Sequence, residues 1–364
     1  MKNNIQDMNL KLLFLLLMMF GASIGFSQDT HGNADEHKKD DLNVGDFIIE
    51  HVSDSYDWHI TTIGHTHISI PLLVILKSKE QGWVFFMSNK LHNDEHKYKN
   101  FVINHDHPIY KGKIMEVLPD GSEVRPFDIS ITKNVLALLM ISITLVWVFI
   151  SIAKRYKNNP QKAPKGLQAV FEPLILFIQN DVAKSVIGEK NYQKYTPFLL
   201  SIFFFILINN LMGLIPFFPG GYNLTGNIAV TMVLALFTFI ITTVSGTKHY
   251  WQHIFWSPIV PWWLKVPLPL MPIVEIMGVF TKPFVLMVRL FANMLAGHIV
   301  MLAFFSLIFI FGSMSVAAGF GVSVISILFT IFDFFLEILV AFIQAFVFVL
   351  LSAIYFSMSL ESEH

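Results

Sequence analysis

Residues 273–311 read IVEIMGVFTKPFVLMVRLFANMLAGHIVMLAFFSLIFIF. After a glycine-bearing stretch, Gly312–Gly321, residues 322–359 read VSVISILFTIFDFFLEILVAFIQAFVFVLLSAIYFSMS. Each run is close to twice the length of about 20 residues that a straight membrane span needs. Two such helices must tilt strongly or break. Working outward, only seven Asp, Glu, Lys or Arg occur between Thr196 and Leu360, so that half of the chain cannot be a water-soluble surface. Further spans are expected at about 132–153, 197–218 and 228–246, five in all with 273–311 and 322–359. The stretch 166–184 alternates apolar and polar residues at helical spacing and is expected to lie along the inner surface. A Pro- and Trp-rich stretch, Pro258–Pro272, is expected to turn at the interface.

The 364 residues are 54% hydrophobic and 14% charged, with a net charge of −1. A plain cytosolic enzyme is excluded, and no basic field points to nucleic acid. The absence of cysteine removes disulfides, thiolate metal sites and cysteine nucleophiles. Met1–Gln28 has a basic flank, the apolar run Leu12–Phe20 and small residues before Gln28, the pattern of a signal peptide over 1–27. Lys154, Arg155, Lys157, Lys162 and Lys165 follow the first span and mark its cytoplasmic end. Both signals put the N-terminal segment outside the cytoplasm and the C-terminus inside.

Residues 28–128 mix charge with short β-like runs at Asp46–His51, His59–Ile63, His67–Leu76 and Gly82–Met87. They are expected to form a small β-rich extracytoplasmic domain, with the membrane part at 129–364. Ten of the 14 histidines lie here, at positions 31, 37, 51, 59, 65, 67, 92, 96, 105 and 107. His65 and His67, His105 and His107, or His92 and His96 could contribute to a zinc site. The simpler reading is a solvated histidine-rich surface, because no four-ligand pattern closes; no metal and no cofactor is assigned.

Ionisable groups inside an apolar helix are costly, about 2.5–3.5 kcal/mol each on insertion scales, and so are functional candidates. They are Glu275, Lys282, Arg289 and His298 on the first long helix, and Asp333 and Glu337 on the second, with Asn293 and Gln344 as polar companions. At 1.5 Å per residue Glu275 stands roughly 21 Å to the cytoplasmic side of Arg289, and His298 roughly 13 Å to the outer side. On a helical wheel Glu275, Arg289 and Asn293 share a face, and His298 falls roughly opposite. Asp333, Glu337 and Gln344 share a face of the other helix. The groups form an inner set near Glu275 and an outer set near His298, Asp333 and Glu337, with a fixed positive charge between. A guanidinium holds its proton near neutral pH and cannot relay one. It can displace a proton from a carboxylic acid brought beside it. No Asp or Glu stands at i±3 or i±4 from Arg289, so its partner carboxylate belongs to another subunit.

The stretch Glu275–His298, with its Arg289-Leu-Phe-Ala-Asn293-Met core, resembles the signature of subunit a of the F-type ATP synthase. Gln344-Ala-Phe-Val-Phe-Val-Leu-Leu-Ser-Ala-Ile-Tyr355 is similar to the last helix of that family, and Asn210-Leu-Met-Gly-Leu-Ile-Pro216 to its second span. The resemblance covers roughly 130–364. It implies an all-α polytopic membrane protein, here carrying an extra β-rich extracytoplasmic domain. It implies a non-catalytic stator proton channel with two offset half-channels and an essential arginine, coupling proton flow to rotation and ATP synthesis. No nucleotide site is expected on this chain. The implied partners are a ring of c subunits, the b subunits of the peripheral stalk, the F1 sector indirectly, and membrane lipid. The implied location is the bacterial inner membrane, with the N-terminal domain periplasmic. Arg289, Asn293, His298, Glu337, Gln344 and Glu275 are the implied proton-path residues. His298 and Glu337 exchange the Glu and His of many bacterial members, and Gly213 replaces an aspartate found in some. Asp333 and the 28–128 domain are departures from the pattern; Asp333 is read as channel lining. A secondary transporter with its own proton relay and a histidine-rich binding protein on a passive anchor are the competing readings.

Overall fold

The computed structural model describes residues 45, 52–63, 66–79, 81–91, 97–104, 110, 112–158, 163–215, 218–256 and 270–360. Of residues 59–63, 66–68, 256 and 270–272 it describes the backbone only. The expected leader, the run Asp46–His51 and the turn Pro258–Pro272 lie wholly or largely outside these residues. The side chains of the ten N-terminal histidines lie outside them as well. Among the described residues no group of three His, Asp or Glu is placed to hold a metal.

The N-terminal domain is β-rich, as its β-branched and aromatic runs dictate. Strands β1 (Asp57–Ile63) and β2 (Thr66–Pro71) form an antiparallel hairpin. Strand β3 (Leu73–Ser78) pairs on one side with β4 (Gly82–Met87) and on the other with β9 (Phe127–Asp128). A four-stranded sheet runs β5 (Lys97–Tyr98), β6 (Phe101–Asn104), β7 (Lys113–Val117), β8 (Glu123–Val124). The expected run His67–Leu76 is thus two strands, divided at Leu72. Alternation sends Val74, Leu76, Val84 and Phe86 into a core with Tyr56, Leu91, Phe101 and Ile114. The opposite face of β4 leaves Trp83, Phe85 and Met87 exposed. Glu116, buried on β7, accepts hydrogen bonds from the Ser78 hydroxyl and from the Lys79 amide at 3.3 Å, which joins the two sheets. The Tyr56 hydroxyl donates to Asp128 Oδ2 at 2.5 Å. Burial, and then the Asp128 carboxylate, push that hydroxyl well above its ordinary range.

The rest is helical. Helix α1 spans Lys133–Asn158, and α2 Leu167–Phe177 continues through a π-helical segment, Ile178–Lys184, to Ser185–Ile187. Then come α3 (Tyr192–Gly213), α4 (Ile228–Ser245), α5 (Lys248–Trp256), α6 (Leu270–Met314) and α7 (Val316–Leu360). Among the described residues five helices, α1, α3, α4, α6 and α7, are long and apolar enough to cross a membrane. Helices α6 and α7 have 45 residues each, about 68 Å of helix against a hydrocarbon core of about 30 Å. The expected glycine turn between them shrinks to Ser315. Gly312 and Gly319 remain helical and let the two chains approach: a Cβ on Gly319 would stand 2.9 Å from Gly312 Cα.

Helix α3 is apolar on every side and therefore central. Of its apolar window 78% is buried within the chain, against 11% for α6. Phe204 meets Phe149 of α1 and Phe203 meets Phe342 of α7, each edge-on, and Phe205 is fully buried. The π-helical segment buries Ile178, Val182 and Ala183 against this group. Helix α4 starts at Asn227, whose side chain accepts from the Ala229 amide at 3.0 Å.

Candidate functional site

The site is set by the 3.6-residue period of α6. Leu286, Leu290, Met294 and His298, four residues apart in turn, are buried against the helices behind. Arg289, Ala292, Asn293 and Ala296 fall on the other side and are exposed, together with Val285 and Val288. Among the described residues no carboxylate lies within ion-pair distance of Arg289. Its charge lies within electrostatic range of Tyr355 on α7. An exposed guanidinium amid apolar side chains is the most expensive group on this surface.

Toward the C-terminal end of α6 from Arg289 a buried polar cluster forms. His298 Nδ1 lies 3.0 Å from the Met294 carbonyl, one turn back on its own helix, and 3.8 Å from Glu337 Oε1 on α7. Gly297 makes this approach possible, since a Cβ there would stand 2.3 Å from Glu337 Oε1. Gly213, which ends α3, packs against the Tyr222 carbonyl, and its Cβ position is 3.4 Å from His298 Nε2. Asp333 lies one turn from Glu337 within electrostatic range. Asn210 Oδ1 accepts from Thr225 at 2.6 Å, and Asn209 Oδ1 accepts from Tyr222 at 3.3 Å. Both Glu337 oxygens, His298 Nε2, Asp333 Oδ2 and Asn210 Nδ2 are buried with no protein hydrogen-bond partner among the described residues. Unpaired polar atoms at such depth demand a partner, and water is the smallest one that fits many of them at once. Gln344 is buried on the same side of α7 as Glu337.

Toward the N-terminal end of α6 from Arg289 lies a small open cleft, lined among others by Thr238, Thr242, Tyr250, Lys282, Pro283 and Tyr355. Pro283 has no N–H to give to the Val279 carbonyl, and both residues line the cleft. Lys282 Nζ lies 5.7 Å from the centre of the Tyr355 ring and donates weakly to Met358 Sδ at 3.7 Å. Glu275 lies within electrostatic range of Lys282 and of Tyr250, whose hydroxyl is raised by burial and then by that carboxylate. Thr238 and Ser352 meet hydroxyl to hydroxyl at 3.3 Å.

The structure therefore brings His298, Glu337 and Asp333 together, with Gln344 further along the same helix, and sets Glu275 apart toward the N-terminal end of α6. Arg289 and Asn293 lie on the exposed face of α6. Thr238, Thr242, Tyr250 and, in the loop between α3 and α4, Tyr222 and Thr225 are additions that sequence reading passes over. The one available signal was the Thr238–Thr242 spacing, which sets two hydroxyls on one face of an apolar helix.

The model of the ATP synthase A chain family matches residues 135–357. The chain belongs to that family. An ATP synthase subunit a 2 from Chlorobaculum tepidum is 46% identical over 247 residues, 65% of each chain. A subunit a from Chlorobium phaeobacteroides is 38% identical over 314 residues, 83% of this chain and 86% of that one. A subunit a from Myxococcus xanthus is 41% identical over 248 residues, 65% and 75% of the two chains. A match over 83% of the chain extends well ahead of residue 135. There, residues 47–131 match a family described as a domain of unknown function. As a subunit a, the chain is a multi-pass, non-catalytic membrane subunit, the proton-conducting stator subunit of F0. Family membership sets aside the transporter and the passive-anchor readings.

Proposed function

We propose that two half-channels meet at Arg289, opposite the carboxylates of a rotating ring of c subunits. The observation that carries this is the exposed Arg289, isolated on the free face of α6 between two polar clusters that do not touch each other. The outer route runs through His298, Glu337 and Asp333, whose buried oxygens and ring nitrogen are satisfied by a file of water. The inner route runs through the cleft beside Glu275, Lys282 and Tyr250. A proton enters by the outer route and neutralises a ring carboxylate. It rides round with the ring and returns to the arginine from the other side. There the guanidinium stabilises the carboxylate and the proton leaves by the inner route. The same charge bars a proton from passing straight between the routes. Asn293, one turn from Arg289 on the same face, orders the polar contact with the ring. Gln344 lies between the outer cluster and the arginine along α7.

The N-terminal domain is extracytoplasmic in this reading, after a leader over 1–27. The basic end of α1 (Lys154, Arg155 and Lys157) and the C-terminus are cytoplasmic. The b subunits hold the stator against rotation. In inverted membrane vesicles, Arg289→Ala is expected to abolish ATP-driven acidification while the complex assembles normally by blot. Acidification at the parental rate would show the arginine to be structural and would end the two-half-channel reading.

A further inference from the structure

Among the described residues, the domain of unknown function meets the membrane helices around Trp58, next to the loop that packs over the His298–Glu337 cluster. Trp58 of β1 is 2% exposed and belongs to the helical core, edge-on to Phe218 at 5.2 Å and to Tyr222 at 5.9 Å. The Tyr222 carbonyl packs on Gly213, and Gly213 on His298. Beside Trp58 the turn Asp54–Asp57 caps α1. Asp54 Oδ1 accepts from the Asn134 amide at 3.0 Å, and the Ser55 carbonyl accepts from the Lys133 amide at 2.9 Å. Lys133 is 8% exposed, and its charge lies within range of Asp54 and Asp57 on one side and of His298 on the other. Asn134, 5% exposed, keeps a buried Oδ1 with no protein partner among the described residues.

We propose that the Asp54–Asp57 turn, with Lys133, is the entry vestibule of the outer proton route, so that this domain is part of the channel. The inference rests on the outer route through His298 and Glu337 argued above. A cap alone needs one carboxylate. Here a second one, Asp57, stands within range of an ammonium that is itself buried and within electrostatic range of His298. Burying that ammonium is tolerable only with such partners. The two carboxylates draw protons to the mouth and offset the charge of the buried ammonium. Protons pass from the water about Asp54 and Asp57, past the orphaned Asn134 oxygen, to His298 and Glu337.

The chain has no cysteine, which permits a direct test on the assembled synthase. Asp57→Cys complex is purified, treated in detergent with a carboxyethyl or a trimethylammonium-ethyl thiosulfonate, reconstituted, and assayed for ATP-driven acidification. Unmodified Asp57→Cys is expected to pump about fivefold more slowly than the parent. Restoring the negative charge recovers pumping, and adding the positive charge abolishes it. Ser55→Cys serves as a second position, read as the ratio of its rates before and after each reagent: the cationic reagent slows it and the anionic one does not. The proposal falls if neither reagent changes the rate at either position while Glu337→Gln still slows it. If Glu337→Gln itself pumps at the parental rate, the underlying outer route has failed and the vestibule goes with it.

Discussion

Glycine decides the geometry at two points of the cluster around His298. An alanine methyl at position 297 would stand 2.3 Å from Glu337 Oε1 and 3.1 Å from its Cδ. The carboxyl must then swing away from His298. A misplacement of about 1 Å in a reacting group costs up to about 100-fold, so Gly297→Ala is expected to slow pumping about tenfold with the complex intact. Glu337→Gln and His298→Ala are expected to slow it similarly; unchanged rates in both would remove the pair from the route. Gly213 differs, because its methyl would meet the Tyr222 backbone oxygen at 2.7 Å, and a backbone cannot turn aside. Here an alanine is expected to lower the amount of assembled complex by blot, and a still larger side chain such as aspartate has no room without moving the 222 loop. The candidate residues themselves were legible because mid-helix charge is rare and costly. Their pairing across helices was legible only by period: the wheel separates His298 from Arg289, as the burial of one and exposure of the other bear out. The contact of Gly297 with Glu337 and the seat of Gly213 depend on how α3, α6 and α7 cross, which no single-helix periodicity contains.

At the scale of elements, the five apolar helices were plain from composition, and their ends less so. Helix α3 begins at Tyr192 and stops at Gly213, each end earlier than the apolar run 197–218 implies. Its first turn is held by tertiary packing of Tyr195 on Phe356, and its last by the polar loop bonds of Asn209 and Asn210. The π-helical segment 178–184 has no sequence signal of its own. In the β domain, the link between Tyr56 and Asp128 ties the start of the domain to the strand that leads into α1. A hydroxyl raised in the folded state contributes stability that is complete below the unfolded value of about 10. That contribution is lost as pH rises through the higher folded value. Proteolysis of this domain in the assembled complex is therefore expected to accelerate above about pH 10. Tyr56→Phe, which has no proton to lose, should be less stable at neutral pH and show a flatter alkaline rise. An identical alkaline limb in both would deny Tyr56 that role.

For the molecule as a whole, the helices are arranged unequally about α3. One side is closed, and α6 and α7 are left as a broad apolar wall with Arg289 upon it. If that wall faces the ring, cysteines at Val288 or Ala292, both exposed, are expected to cross-link to a cysteine on a ring helix on a non-reducing gel. A cysteine at Leu290, which is 1% exposed, should not. Equal cross-linking from all three would mean that α6 is turned otherwise. The same wall has a consequence for how the complex is made. Until a ring covers it, the newly inserted chain holds a guanidinium against lipid, at about 2.5–3.5 kcal/mol on insertion scales. If a ring is what shelters that face, the chain is expected to be shorter-lived in cells that lack the ring subunit than in cells that make it, by pulse-chase and blot. An unchanged lifetime would mean that the exposed face of α6 needs no cover.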